Sequence, residues 1–391
     1  MKYLYELLNL IKVNIRDYGM YIALIIIMFT FQILTDGLFM SSRNISNLLD
    51  SAGYIAVLAV GVMLVIVIRH IDLSIGFLAG FLGAIAAILL MQYGMPVYIV
   101  IPIILVLGIC AGGVTGFLVA KVGIPAFVAT LAGWLIYRGA ILLATEKTGT
   151  IIVDNDAFNA IGNGYIPAIA EVGGLHLLSL ILGGLGVLFY VYSSIKNRRN
   201  KIKYDFDVVS KPIFVLQLVF VSAIIAYITW LLAGYNGFSW TVIIILLVVV
   251  VYHFITTKTV LGRHIYAVGS NPEAAHLTGI SVSKITFIVF GSMGMLSALS
   301  GILFTSRLQS ATTTAGTLFE LDAIAAAFVG GVSAAGGVGK VTGAVIGAIV
   351  MATLTNGMNL MGVGIAPQYM IRGGVLALAV IFDVMTRRQR A

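Results

Sequence analysis

Residues 52–92, AGYIAVLAVGVMLVIVIRHIDLSIGFLAGFLGAIAAILLMQ, hold two apolar runs joined by a short polar linker, Arg69-His70-Ile71-Asp72-Leu73-Ser74. Each run approaches the roughly 20 residues that a helix needs to cross a hydrocarbon layer. Strands of a membrane barrel alternate in polarity and are shorter, so continuous apolar runs of this length read as helices. Working outward, similar runs recur at 18–36, 97–119, 126–145, 174–194, 213–233, 239–257, 285–304, 322–338, 341–360 and 366–383, about twelve spans in all. Composition agrees: 60% of the 391 residues are hydrophobic and 10% charged, against about 25% charged in soluble domains. The expected fold is all-α, a polytopic integral membrane helical bundle. It forms a single transmembrane domain over 18–385, preceded by an interfacial segment at 1–17 and followed by a basic tail at 386–391.

Cations orient the bundle. With alternate loops assigned to the side that holds the N-terminus, eighteen of the 23 Lys and Arg fall on that side. Arg43, Lys147 and Arg307 fall opposite, and Arg138 and Arg372 lie within spans. The positive-inside rule makes the crowded side cytoplasmic, and an even number of spans places both termini there. The net charge of +8 therefore belongs to one membrane face, where it suits anionic lipid headgroups and an acidic protein partner better than nucleic acid. Before the first span, Leu4, Leu7, Leu8, Ile11 and Ile15 recur at helical spacing, as in a helix lying in the interface. No small-residue cleavage site follows residues 21–34, which reads as an uncleaved first span.

Several chemistries are absent from the sequence. Cys110 is the one cysteine, so no internal disulfide forms. No G-x-x-x-x-G-K-[ST] nucleotide loop, no H-E-x-x-H and no G-x-S-x-G occurs, and His70, His176, His253, His264 and His276 never pair at metal spacing. What the spans do contain is small residues and breaks. Gly108, Gly112 and Gly116, and likewise Gly343 and Gly347, repeat every four residues, which lets helix backbones approach closely. The run 330–339, GGVSAAGGVG, interrupts an apolar stretch, and irregular backbone at membrane depth is tolerated only inside protein or beside a water-filled cavity. This makes Gly336 and Gly337 candidates for a pathway. In the 69–74 linker, Arg69 and Asp72 have the spacing to pair on one helical turn. Arg138 and Arg372 either line a cavity or snorkel to the interface. Arg307, Glu320 and Asp322, beside Ser310-Ala311-Thr312-Thr313-Thr314, offer both signs of charge to a partner at the outer face.

The longest polar island is 258–284, KTVLGRHIYAVGSNPEAAHLTGISVSK. Asn271 is placed to cap a short helix with Pro272 and Glu273 in its first turn, and Gly279 to end it in the left-handed conformation. A two-turn helix between cations, pinned between two spans, is a poor catalytic site and a good docking knob for another protein.

That island also carries a family resemblance. Gly262-Arg263-His264-Ile265-Tyr266-Ala267-Val268-Gly269-Ser270-Asn271, with Glu273-Ala274-Ala275 and Gly279-Ile280, resembles the cytoplasmic loop of permease subunits of bacterial ATP-binding cassette sugar importers of the ribose, xylose and galactose group. Three further stretches match in order: Ile71-Asp72-Leu73-Ser74-Ile75-Gly76; Thr314-Ala315-Gly316 with Glu320 to Ala326; and Asn356-Gly357-Met358-Asn359-Leu360. Residues 35–49 and the chain length are most similar to xylose and multiple-monosaccharide permeases. Shorter ribose-type members have about ten spans, so residues near 190–235 read as an inserted basic loop and helical pair.

The resemblance implies an importer subunit rather than an enzyme. ATP and magnesium sit on a partner ATPase, which grips Gly262, Arg263, Asn271, Glu273, Ala274, Ala275 and Gly279. A sugar-binding protein docks near Arg307, Glu320 and Asp322, and two permease copies form a homodimer. The translocation candidates are Asp72, Ser74, Arg138, Gly336, Gly337, Asn356, Asn359 and Arg372, and no metal site or cofactor is expected on the chain. The competing reading is an ion-gradient-driven transporter working alone; such proteins use a midplane carboxylate, whereas Asp72, Glu320, Asp322 and Asp383 read as lying near span ends.

Overall fold

The computed structural model describes residues 15–146 and 148–388; residues 1–14 of the expected interfacial segment 1–17 and the last three residues of the basic tail lie outside them. Fifteen helices account for most of the described chain: α1 Ile15–Leu34, α2 Ser42–Val67, α3 Ile75–Met91, α4 Val97–Phe117, α5 Ala126–Thr145, α6 Asp156–Asn163, α7 Leu177–Lys203, α8 Lys211–Ala233, α9 Trp240–Lys258, α10 Val260–Ser270, α11 Pro272–Leu277, α12 Val282–Leu308, α13 Phe319–Val329, α14 Val341–Leu360 and α15 Ile365–Arg388. Short hydroxyl and amide residues start several of them. Asn155, Ser239, Thr259 and Ser281 each accept a bond from the backbone N–H three residues on, satisfying donors that a helix start leaves free.

The bundle is organised around α2, buried along most of its length, and α12, which packs on α2, α3 and α4. Glycine makes the tightest crossings. A Cβ at Gly294 of α12 would fall on the carbonyl of Gly108 and the backbone of Gly112, and one at Gly116 would meet Phe287 and Phe290. Gly347 of α14 lies equally close to Ala326 and Gly330. The four-residue glycine spacing therefore does what it predicts, letting backbones touch. At the periphery, α7 and α8 form a pair, joined where Gly183 meets Thr229. Little of that pair is buried beyond Leu231–Ala233, and it covers Leu177–Ala233, a longer stretch than the insert near 190–235.

Among the described residues nine helices are long and apolar enough to cross a membrane, with two shorter apolar ones at Gly19–Leu34 and Ile75–Met91. The twelve-span expectation fails at 322–338. There α13 has 11 residues, about 16 Å of helix against a hydrocarbon core of about 30 Å. Gly330 and Gly331 stop it, and the chain continues without helix to Lys340.

Because α2 runs through the middle, its two ends mark the two faces. At the Val67 end lie Arg69, α10 and the loop 333–339; this is the basic face. At the Ser42 end, residues 148–176 fold back as a cap. Strand β1, Thr150–Ile152, pairs antiparallel with β4, Ser310–Thr312, in the register Thr150↔Thr312, α6 follows, and the two-residue strands β2, Glu171–Val172, and β3, Leu175–His176, close a small hairpin.

Candidate functional site

At the basic face the island 258–284 folds as two short helices. Thr259 caps α10, and Asn271 Oδ1 caps α11 by accepting from the N–H of Ala274 at 3.0 Å. Gly279 follows with φ +86°, a conformation that costs glycine little. In α11, Ala275 is buried whereas Asn271, Glu273, Ala274 and Gly279 are exposed, and Leu277 is 87% exposed. A cavity of about 620 Å³ undercuts this helix, lined by His70, His276, Ser281 and Ser283 among others. Arg263 is exposed on α10, and Gly262 lies against the carbonyls of Ile255 and Thr256, where no side chain fits.

The knob is fixed to the bundle through α10. Arg69 donates from Nε to the carbonyl of Gly269 at 2.7 Å and from Nη2 to that of Ser270, covering the last carbonyls of α10, which a helix end leaves free. The Tyr266 hydroxyl donates to the Gly339 carbonyl at 2.6 Å, and the Gly337 N–H donates to the Val67 carbonyl at 2.8 Å. Gly336 and Gly337, two of the expected pathway residues, form a seat under α10, with backbone against Arg69, Gly269 and Ser270. The expected Arg69–Asp72 pair does not form. Arg69 is left-handed, φ +66°, which breaks the helical turn that such a pair requires. Asp72 turns inward and accepts from the N–H and Oγ of Ser74 at 2.9 and 2.6 Å. That Asx turn was readable in Asp72-Leu73-Ser74; the role of Arg69 was not, because its partners lie two hundred residues away.

Deeper in the bundle, two breaks meet. The linker 68–74 enters from the basic face and the segment 313–318 from the opposite face. A Cβ at Gly76 would strike the Gly316 carbonyl and Glu320 Oε2, and one at Gly80 the Ala315 carbonyl. Glu320 is 5% exposed. Its Oε1 accepts from Trp134 Nε1 at 3.0 Å, and Oε2 has no hydrogen-bond partner. Arg138 sits over the Phe77 ring at 5.1 Å and donates to the Thr313 carbonyl, so it serves the break and does not snorkel. Asp72 and Glu320 are thus interior carboxylates; α3 and α13 begin inside the bundle, so ends of apolar runs are not membrane surfaces here. Their position no longer argues against ion coupling.

Toward the opposite face, the expected exposed charges are largely consumed. Arg307 Nη1 donates to Asn163 Oδ1 at 3.1 Å and Nη2 to Asn47 Oδ1 at 3.3 Å, with Asp50 Oδ2 at 3.9 Å. Asp50, buried, also accepts from the Ser239 hydroxyl. Arg307 therefore ties the cap to α2 and α12. Asp322 pairs with Arg372, and Glu320 is interior, so neither stands free for a docking protein. Asn356 exchanges two amide bonds with Asn44, at 2.9 and 3.0 Å, and Asn359 accepts from Gln368 at 2.8 Å; both hold α14 against its neighbours. Trp134, Asp50 and Asn163 went unnoticed in the sequence, where each is a lone polar or aromatic residue with no local pattern.

The chain is 38% identical to the xylose transport system permease protein XylH of Haemophilus influenzae over 378 residues, 97% of this chain and 98% of that protein. It is equally identical to XylH of Escherichia coli, covering 97% and 94%. The ribose import permease protein RbsC of Haemophilus influenzae is 34% identical over 93% of this chain and 91% of that protein. No solved structure matches. With its apolar helices the chain is a multi-pass protein of the bacterial cytoplasmic membrane. A family described as branched-chain amino acid transport system / permease component matches residues 44–380, and by that match and these relatives the chain belongs to this family of transport permeases.

Proposed function

We propose that this chain is the membrane-spanning subunit of an ATP-binding cassette importer that carries a neutral monosaccharide, xylose or a related aldose, across the cytoplasmic membrane. The observation that carries the coupling half of this reading is α11, an exposed, capped knob following α10, which is bolted through Arg69 to the linker 68–74 and through Tyr266 to the loop 333–339. A separate ATPase with bound ATP and magnesium grips the knob of each of two permease copies, and its closure moves the breaks. A sugar-binding protein delivers substrate at the Ser42 end, against the cap rather than Arg307, Glu320 and Asp322, whose charges are taken up within the chain. The substrate class rests on the relatives named for xylose and ribose.

The buried carboxylates Asp72 and Glu320 favour a second reading, uptake driven by an ion gradient. One experiment separates the two. In vesicles holding the permease with its ATPase and binding protein, we expect uptake to survive collapse of the proton gradient at constant ATP and to stop when ATP is withdrawn. E273K and enlargement of Ala274 to Trp should leave insertion intact and weaken the ATPase contact by about 2–4 kcal/mol. Normal uptake by both variants, or uptake that follows the gradient, would replace the first reading with the second.

A further inference from the structure

Residues 313–318 lie deep. Gly83 and Ala79 of α3 pack on Gly301 of α12 while Gly80 meets Ala315 and Gly76 meets Gly316, which sets this segment about 10–15 Å inside the Leu308 end of α12 at 1.5 Å per residue. Since α12 has 27 residues, about 40 Å, and the hydrocarbon spans about 30 Å, the segment sits within the hydrocarbon zone. Yet it is not helical, and Thr314 and Thr317 are exposed. At matching depth, seven residues into α15, Arg372 pairs with Asp322, each side chain partly open, and its guanidinium lies 5.7 Å from the Tyr369 ring. The Thr317 hydroxyl donates to the Thr314 carbonyl at 2.7 Å and the Thr314 hydroxyl lies 3.4 Å from that of Thr312, so these groups keep acceptor capacity on an exposed face; lipid suits neither this loop nor an ion pair, so a face of this kind borders protein or water.

We propose that Thr314, Thr317, Asp322, Tyr369 and Arg372 form one wall of a water-filled path and bind a neutral polyhydroxylated solute there. This rests on the sugar reading above and deepens it. Hydroxyls donate to and accept from hydroxyls, and a tyrosine ring suits the apolar face of a sugar ring. The two charges on this wall neutralise one another, leaving no free pair of opposite charges for the separate ammonium and carboxylate of an amino acid. That distinction matters, because the family description names branched-chain amino acids and the relatives name sugars.

The test uses the permease with its ATPase and binding protein in proteoliposomes, in a C110S background, with T314C, T317C and, as a lipid-facing control, L135C. A charged, membrane-impermeant thiosulfonate should label T314C and T317C but not L135C, which should react only with a lipid-soluble maleimide. Saturating xylose should abolish labelling of T317C, and leucine should not. Reaction of the two threonine positions with the maleimide alone makes the face lipid-exposed, and reaction with neither makes it a dry contact; both overturn the proposal. Labelling that xylose leaves unchanged while xylose uptake continues overturns this wall but not the sugar reading. Block by leucine with no xylose uptake overturns both.

Discussion

At the scale of single residues, the decisive groups are those whose partners lie far away in the chain. Arg69 holds a left-handed backbone and caps the end of α10. The variants R69Q and R69G separate these two features, because glycine adopts φ +66° readily while lacking the guanidinium. Both should lose the bonds to Gly269 and Ser270, costing about 1–3 kcal/mol, and both should uncouple ATP hydrolysis from uptake, measured as ATP consumed per sugar imported. Unchanged coupling in R69G would leave only a structural role for the backbone turn. Glu320 is a second case. E320A leaves the indole N–H of Trp134 without its acceptor and should destabilise by about 1–3 kcal/mol, read as a lower midpoint of thermal unfolding in detergent. E320Q keeps the shape and an acceptor oxygen and should unfold close to the parent.

At the scale of elements, the tightest helix crossings in this bundle are made through backbone at glycine. G294A places a methyl group on the Gly108 carbonyl and should cost about 1–3 kcal/mol by overpacking, whereas G139A, with nothing within 4 Å of the added carbon, should be neutral or stabilising. Thermal unfolding of the pair checks the difference. Leucine at Gly336 or Gly337 forces a side chain into a left-handed position against Arg69 or Ser270. Uptake should fall because the seat of α10 is displaced, with insertion kept; full uptake in both variants would make these glycines ordinary loop residues.

At the scale of the whole molecule, the basic face and the cap lie at opposite ends of α2, and the basic hairpin of α7 and α8 stands beside the core. Reporter tags at residue 155, in the cap, and at residue 200, at the end of α7, should report opposite sides of the membrane, with 200 cytoplasmic. The same side for both would overturn the assignment. Removing the basic run 196–203 should loosen the orientation of α7 and α8 while leaving the core fold in place, since little of that pair is buried against the bundle.

The helical membrane class, the positions of nearly all the long helices, the glycine crossings and the capped knob at Asn271–Gly279 were legible in the amino-acid order alone. Each of these follows from local physics: apolar run length, four-residue spacing, and cap chemistry within a few residues. It took the folded molecule to reveal that the run 322–338 is a half-helix, that Gly336 and Gly337 seat α10, and that Asp72 and Glu320 are interior. It alone also showed that Arg307 and Asp322 already have partners. Hydropathy records how apolar a segment is, not how deep its ends lie; depth is set when α3 and α13 start inside a bundle whose neighbours supply the missing hydrogen bonds. A lone charge likewise carries no local sign of its partner, and the partners of Arg69, Arg307 and Glu320 are more than a hundred residues away.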